Sequence, residues 1–143
     1  DGRGQHTLYD NPSGSLLLLP YHGFCRAADP VWRNTLQWIL SKENPFFVDG
    51  AFAAPANRHA FHPWPMAACH MILCGQAGRG GEFLRRAEMD GGIACETVDA
   101  QTGRVRTGGA FAAFAGYLGA ALVQAFGIRP RRPRRRPGSA ADR

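Results

Sequence analysis

Glu96 is the side chain around which the chemistry of this sequence can be organised. Gly91 and Gly92 precede it, the turn-forming run Asp99-Ala100-Gln101-Thr102-Gly103 follows it, and Arg104 and Arg106 come next. Apolar helical patterns lie on both sides, so the carboxylate falls on a short connection between rigid elements, where proteins commonly keep proton-transfer groups. Spacing alone leaves open the plainer reading of a solvated loop acid. The other reactive residue types point away from a metal. His59 and His62 are three apart, but they flank Phe61 and precede Pro63 on an irregular segment, which is not a ligand-presenting helix face. Cys25, Cys69, Cys74 and Cys95 form no CxxC pair and sit among apolar neighbours. They read as buried free thiols, which fits a reducing, cytoplasmic compartment. Neither a metal nor a cofactor is expected.

Charge says little about the body of the protein. The 143 residues carry a net charge of +6, with 17 basic and 11 acidic groups. Residues 129–143 hold seven arginines and one aspartate, which already makes +6, so the first 128 residues hold ten basic and ten acidic groups and are neutral. No nucleic-acid partner is therefore expected for the body, and any anion binding rests on the tail. The Arg-Pro repeats of that tail cannot build a core and predict a disordered basic segment beyond a domain at 1–128. No basic and apolar leader pattern is visible, and the longest apolar run is too short and too interrupted to predict a membrane span. The first residue is Asp1 rather than methionine, which reads as a processed chain or a fragment.

The elements that must position these groups are helices. Residues 1–15 are dense in turn formers, and the apolar run Leu16 to Leu19 is too short to assign as helix turn or strand. Asp29 and Pro30 have the chemistry of an N-cap and a first helical position, with Val31, Trp32, Thr35, Leu36, Ile39 and Leu40 on one stripe. That helix should stop near residues 41–43, because Pro45 disfavours helical geometry at Asn44. Residues 51–63 read as loop. A second helix starts at Trp64-Pro65, is apolar on most sides and ends at Gly75. A glycine-rich linker at 75–81 then leads into a polar helix at 82–89. After the Glu96 connection a fourth helix spans about 109–126, with Gly108, Ala112, Gly116 and Ala120 recurring every four positions for close helix packing. The fold class is all-α, and four helices around such long loops look like part of a larger helical array.

Several stretches in order then share one resemblance. They are Asp1-Gly2-Arg3-Gly4, Asp10, the run Ser15 to Tyr21, Asp29-Pro30-Val31-Trp32-Arg33-Asn34-Thr35, Asn44-Pro45, Gly50, His59, Trp64-Pro65-Met66, and Glu96 with Asp99. Together, over residues 1 to about 126, they resemble the C-terminal third of glycoside hydrolase family 125, metal-independent exo-acting α-mannosidases with an (α/α)6 toroid fold.

The resemblance implies a fragment of an inverting hydrolase that acts on terminal α-linked mannose, with an α-1,6 linkage expected. It also implies that Glu96 is the general base, since Cys95-Glu96-Thr97-Val98 stands where the family carries His-Glu-Ser-Phe. The family's general acid is an aspartate upstream of the matched region. Asp10 corresponds to the second aspartate of an Asp-Asp-Ala-Asn segment and would hold sugar hydroxyls; otherwise it is a turn-forming residue. His59 stands in a Ser-Pro-His motif that reads Asn57-Arg58-His59 here. Arg106 sits near a Thr-Arg pair, where a charge partner would orient the base; the alternative is a solvated turn arginine. The aromatic segment Trp-Phe-x-Trp-Ala-Asn has become Phe111 to Gly116, a loss of sugar platform. Two other readings stay open: a related toroid hydrolase of another specificity, and a non-catalytic remnant or helical module with an anion-binding tail. The partner implied by the first is a mannose-containing glycan. If the earlier helices of a toroid are absent, the apolar faces of residues 64–74 and 109–126 both lack a full set of neighbours.

Overall fold

Asp29 starts the first helix as its chemistry predicts. Its Oδ1 accepts from the amides of Val31 at 2.8 Å and Trp32 at 3.3 Å, and Pro30 takes the first position, where no amide partner is needed. This computed structural model describes residues 16–89 and 94–127. Asp10, the glycine pair at 91–92 and the arginine tail lie outside the described residues.

Helix α1 spans Pro30–Ile39 and buries Trp32, Leu36 and Ile39. It ends a little before the expected stop because the buried Asn44 side chain donates to the Ile39 carbonyl at 3.0 Å and accepts from Phe46 N–H at 3.0 Å. That caps the last turn from outside. The apolar run before it is a 3-10 turn, Leu16–Leu18, with Leu17 and Leu18 buried and the Leu16 carbonyl accepting from the Trp32 indole at 3.3 Å.

Short strands modify the expectation of helices and loops alone. Strands β1 (Phe47–Val48) and β2 (Ala54–Pro55) pair antiparallel, with Phe47 opposite Pro55 and Val48 opposite Ala54. Strands β3 (Thr97–Val98) and β4 (Val105–Thr107) form a second antiparallel pair with an irregular register at Thr97/Val98. Strands of two or three residues carry no readable alternation, so sequence pattern passes them over. Two backbone bonds tie the second pair to the segment of the first. Phe52 N–H donates to the Ala100 carbonyl at 2.9 Å, and Val98 N–H donates to the Pro63 carbonyl at 3.0 Å. Gly50 makes this approach possible, since a Cβ there would stand 2.5 Å from the Ala100 carbonyl oxygen.

Helix α2 (Pro65–Leu73) is the centre of the molecule, and each of its nine residues is buried. Helix α3 spans Ala77–Arg86. The expected glycine-rich linker at 75–81 is thus corrected: residues 77–81 are the first turns of α3, and the helix ends at Arg86, before Met89. Gly80 explains the override of helix propensity. Any side chain there would collide with the Ala68 carbonyl and the Ile72 side chain of α2, so glycine is what lets the two helices touch. Helix α4 (Ala112–Phe126) ends at Gly127 in the left-handed region, φ 63°. Its Gln124 side chain donates to the Leu73 carbonyl at 2.9 Å, satisfying the C-terminal end of α2.

One core cluster joins Leu17, Trp32, Ile39, Met66, Cys69 and Phe114 across α1, α2 and α4. A second joins Phe52, Ala68, Met71, Phe83, Cys95 and Val98, where α2 and α3 meet the hairpins, and a third, smaller one joins Ala56, Ala60 and Trp64. Cys69, Cys74 and Cys95 are buried and form no disulfide among the described residues, and burial pushes Cys69 up to about 12 and Cys74 up to about 11. Among the described residues no helix is long and apolar enough to cross a membrane.

Candidate functional site

Glu96 enters the second hairpin with its backbone held from two sides. Its N–H is shared between the carbonyls of Gly108 at 2.8 Å and Thr107 at 3.3 Å. Cys95 before it and Thr97 after it are fully buried, and the Thr97 hydroxyl meets the Thr107 hydroxyl at 2.7 Å across the strands. The residue therefore cannot rotate away without breaking the start of the hairpin. The Glu96 side chain itself stays 19% exposed, which leaves its carboxylate reachable from one side.

The group it faces is His59. Glu96 Oε1 lies 3.4 Å from His59 Nε2, and the two residues come from different elements. His59 sits on the connection between β2 and α2, where its N–H donates to Asn57 Oδ1 at 3.3 Å. Its ring stands edge-on to Trp64, centroids 5.3 Å apart, while its other side is open to solvent. Trp64 is buried and anchored, donating its indole N–H to the Ala60 carbonyl at 3.0 Å. Trp64 in turn meets Phe111 edge-on at 5.7 Å, and Phe111 N–H donates to the Ala94 carbonyl at 2.7 Å, two residues before Glu96. The contacts close a circuit: Glu96, His59, Trp64, Phe111 and back to the Glu96 strand. Edge-on aromatic contacts of this kind fix ring orientation as well as burying area. Trp64 and Phe111 are also the residues that precede α2 and α4, so the circuit stands where the beginnings of those two helices meet.

Asp99, three residues on, does a different job. Its Oδ1 accepts from Gln101 N–H at 3.0 Å, Thr102 N–H at 2.8 Å and the Thr102 hydroxyl at 3.0 Å. Those bonds, with a smaller contribution from the Arg106 charge, hold its carboxyl below the usual carboxylate range. Asp99 is the latch of the β3–β4 turn. Arg106 belongs to it: Nε lies 3.5 Å from Asp99 Oδ2, and the side chain is largely exposed. The charge partner expected for Glu96 from Arg106 is thus found on Asp99, because Arg106 lies in β4 on the turn side of the hairpin. Phe114, in the segment that has lost the aromatic platform, is fully buried in the core.

A carboxylate with a fixed backbone, an imidazole beside it and one open side can take a proton from a bound water. Among the described residues no group of three or more His, Cys, Asp or Glu is arranged to hold a metal ion. Sequence pattern marks Glu96 and His59 but not their proximity, and it assigns Gly108 to a helix-packing repeat and gives no sign of the closing role of Phe111. The Gly108-Gly109 doublet just ahead of an aromatic was the available signal of a close approach.

Residues 1–104 match the profile of the metal-independent α-mannosidases, glycoside hydrolase family 125. Glu96 and His59 fall inside the match, and Arg106 and α4 fall beyond it. The meiotically up-regulated gene 157 protein of Schizosaccharomyces pombe is 46% identical over 52 residues, which cover 35% of this chain and 10% of that protein. A solved structure of a Streptococcus pneumoniae metal-independent α-mannosidase, in a non-productive complex with α-1,6-mannobiose, superposes with a TM-score of 0.75 at 27% identity. That likeness covers 90% of this chain and 32% of the bacterial one, so the chain spans about a third of the solved relative and a tenth of the S. pombe protein.

Proposed function

This chain belongs to the metal-independent α-mannosidase family, and from that premise we propose that it forms part of a glycoside hydrolase removing terminal α-linked mannose, with Glu96 as the general base. The observation that carries the reading is the Glu96 carboxylate, its backbone locked by Gly108 and Thr107 and its Oε1 3.4 Å from His59. In an inverting hydrolysis, Glu96 takes a proton from a water as that water attacks the anomeric carbon. A carboxylic acid on the other side of the sugar, about 6.5–9.5 Å away, gives its proton to the departing oxygen. We assign that acid to sequence outside residues 1–143. The protein body that completes the site would be a helical toroid of which these helices form one part.

His59 has two uses beside such a base. It keeps the carboxylate oriented, and its exposed edge is free to reach a sugar hydroxyl. Asp10 would hold neighbouring hydroxyls, and Arg106 is assigned to the substrate side only through the hairpin it shares with Asp99. An α-1,6 linkage is the favoured substrate, because the solved relative carries α-1,6-mannobiose.

The test is stereochemical. Full-length protein should release mannose from α-1,6-mannobiose, and proton NMR taken before mutarotation should show the β-anomer first. Early appearance of the α-anomer would rule out the inverting two-carboxylate mechanism, and failure to release mannose from any α-mannoside would rule out the activity.

A further inference from the structure

We propose that Gly108 is a positioning residue for the Glu96 carboxylate, a floor on which no side chain can be tolerated. The proposal rests on the reading of Glu96 as base. Gly108 has φ +53°, in the left-handed region, and its carbonyl accepts the Glu96 N–H at 2.8 Å. A Cβ added at Gly108 would stand 2.6 Å from Glu96 Cβ, 3.2 Å from Oε2 and 3.6 Å from the carboxyl carbon. The acid therefore lies over the bare α-carbon of Gly108, with Oε2 toward the glycine and Oε1 toward His59.

Two separate constraints meet at this position, and they have different remedies. Positive φ alone favours glycine but admits asparagine, whose short polar side chain tolerates that region. The contact admits neither asparagine nor alanine, because the clash is with Cβ of Glu96, next to its backbone, and not with the movable end of a long chain. Relief would require the first turn of the Glu96 side chain to shift. Other described glycines make equally close approaches, Gly80 to α2, Gly50 to Ala100 and Gly103 to Phe52, but those neighbours are packing groups. Gly108 is the one whose neighbour is the candidate base.

The prediction is that Gly108→Ala and Gly108→Asn in full-length protein both lower kcat on α-1,6-mannobiose, by roughly tenfold to a hundredfold, the range expected for a reacting group moved by about 1 Å. KM should move by less than about threefold, since the loss falls on the reacting geometry. Gly75→Ala is the strain control, with φ +85° and nothing within 4 Å of an added Cβ, and it should keep parental kinetics. In a Glu96→Gln background neither Gly108 substitution should lower the residual rate further, because the glycine acts only through the acid. Recovery of parental kcat by Gly108→Asn would overturn the proposal, as would a loss confined to KM or a full additional loss on top of Glu96→Gln. If Glu96→Gln collapses turnover while Gly108→Ala does not, the base reading stands and the positioning role falls. If Glu96→Gln turns over normally, both fall. Should the Gly108 variants melt below the assay temperature, the pair Glu96→Gly with Gly108→Ala decides. Recovered melting temperature supports the contact, and no recovery overturns it.

Discussion

Helices α2 and α4 are both built from apolar and small residues, yet α2 is buried at every position and α4 buries only Phe114 and Ala121. Composition announces that a helix needs cover but not which element supplies it. For α2 the cover is internal. Helices α3 and α4 lie along it, the Leu16–Leu18 turn and β2 close the remaining sides, and Gly80 allows α3 to come within van der Waals contact. The expectation that residues 64–74 would lack neighbours is corrected on this point. For α4, one side packs on α2 while Ala115, Gly116, Gly119 and Val123 open with Tyr21 onto a shallow apolar groove. The difference also separates support from chemistry, because the beginnings of these two helices hold Trp64 and Phe111 against His59 and the Glu96 strand.

Large-to-small substitution offers the hardest way to break this comparison. Met71→Ala in α2 should destabilise the protein by about 2–5 kcal/mol, as expected for a cavity opened in a packed core. Val123→Ala in α4, at a site 41% exposed, should change stability by roughly 0.5 kcal/mol or less. Denaturant unfolding of both variants gives the answer. Equal losses would mean that the outer face of α4 is covered as fully as α2.

Acid sharpens the comparison from another direction. His70 is completely buried in α2, neither ring nitrogen has a hydrogen-bond partner among the described residues, and its ring stands edge-on to Tyr117 of α4 at 4.7 Å. Burial, and secondarily the charge of His22, push its pKa down from 6.5 to about 4. A base whose folded pKa is depressed stays neutral in the folded state while the unfolded chain takes up a proton. Stability should therefore be intact above pH 6.5 and fall as pH drops toward 4, by at most about 3 kcal/mol. His70→Leu should flatten that slope when unfolding midpoints at pH 7 and pH 4.5 are compared. An unchanged slope in the variant would show that His70 is not the group titrating.

How much of this was readable depends on range. The start of α1 was legible because Asp29 caps amides two and three residues away, and the end of α4 because Gly127 adopts the left-handed turn at that position. The start of α3 was hidden: glycine-rich local sequence argues against a helix, and the reason for those glycines is the distant backbone of Ala68. The hairpins were too short to show a pattern. At the site, residue types drew attention to Glu96 and His59, but the 3.4 Å between them depends on Val98 bonding Pro63 and Phe52 bonding Ala100. No spacing encodes those bonds. The resemblance implies Arg106 as a charge partner for the acid, and in the structure its guanidinium lies beside Asp99.

The most direct measurement is the turnover of Glu96→Gln in full-length protein on α-1,6-mannobiose, alongside its KM. The substitution keeps the size and the hydrogen-bonding capacity of the side chain but removes the proton acceptor. If Glu96 is the base, kcat falls by roughly 10²–10⁴-fold while KM stays within a few-fold of the parent. A variant that releases mannose at close to the parental rate would contradict the assignment on which the account of this site depends.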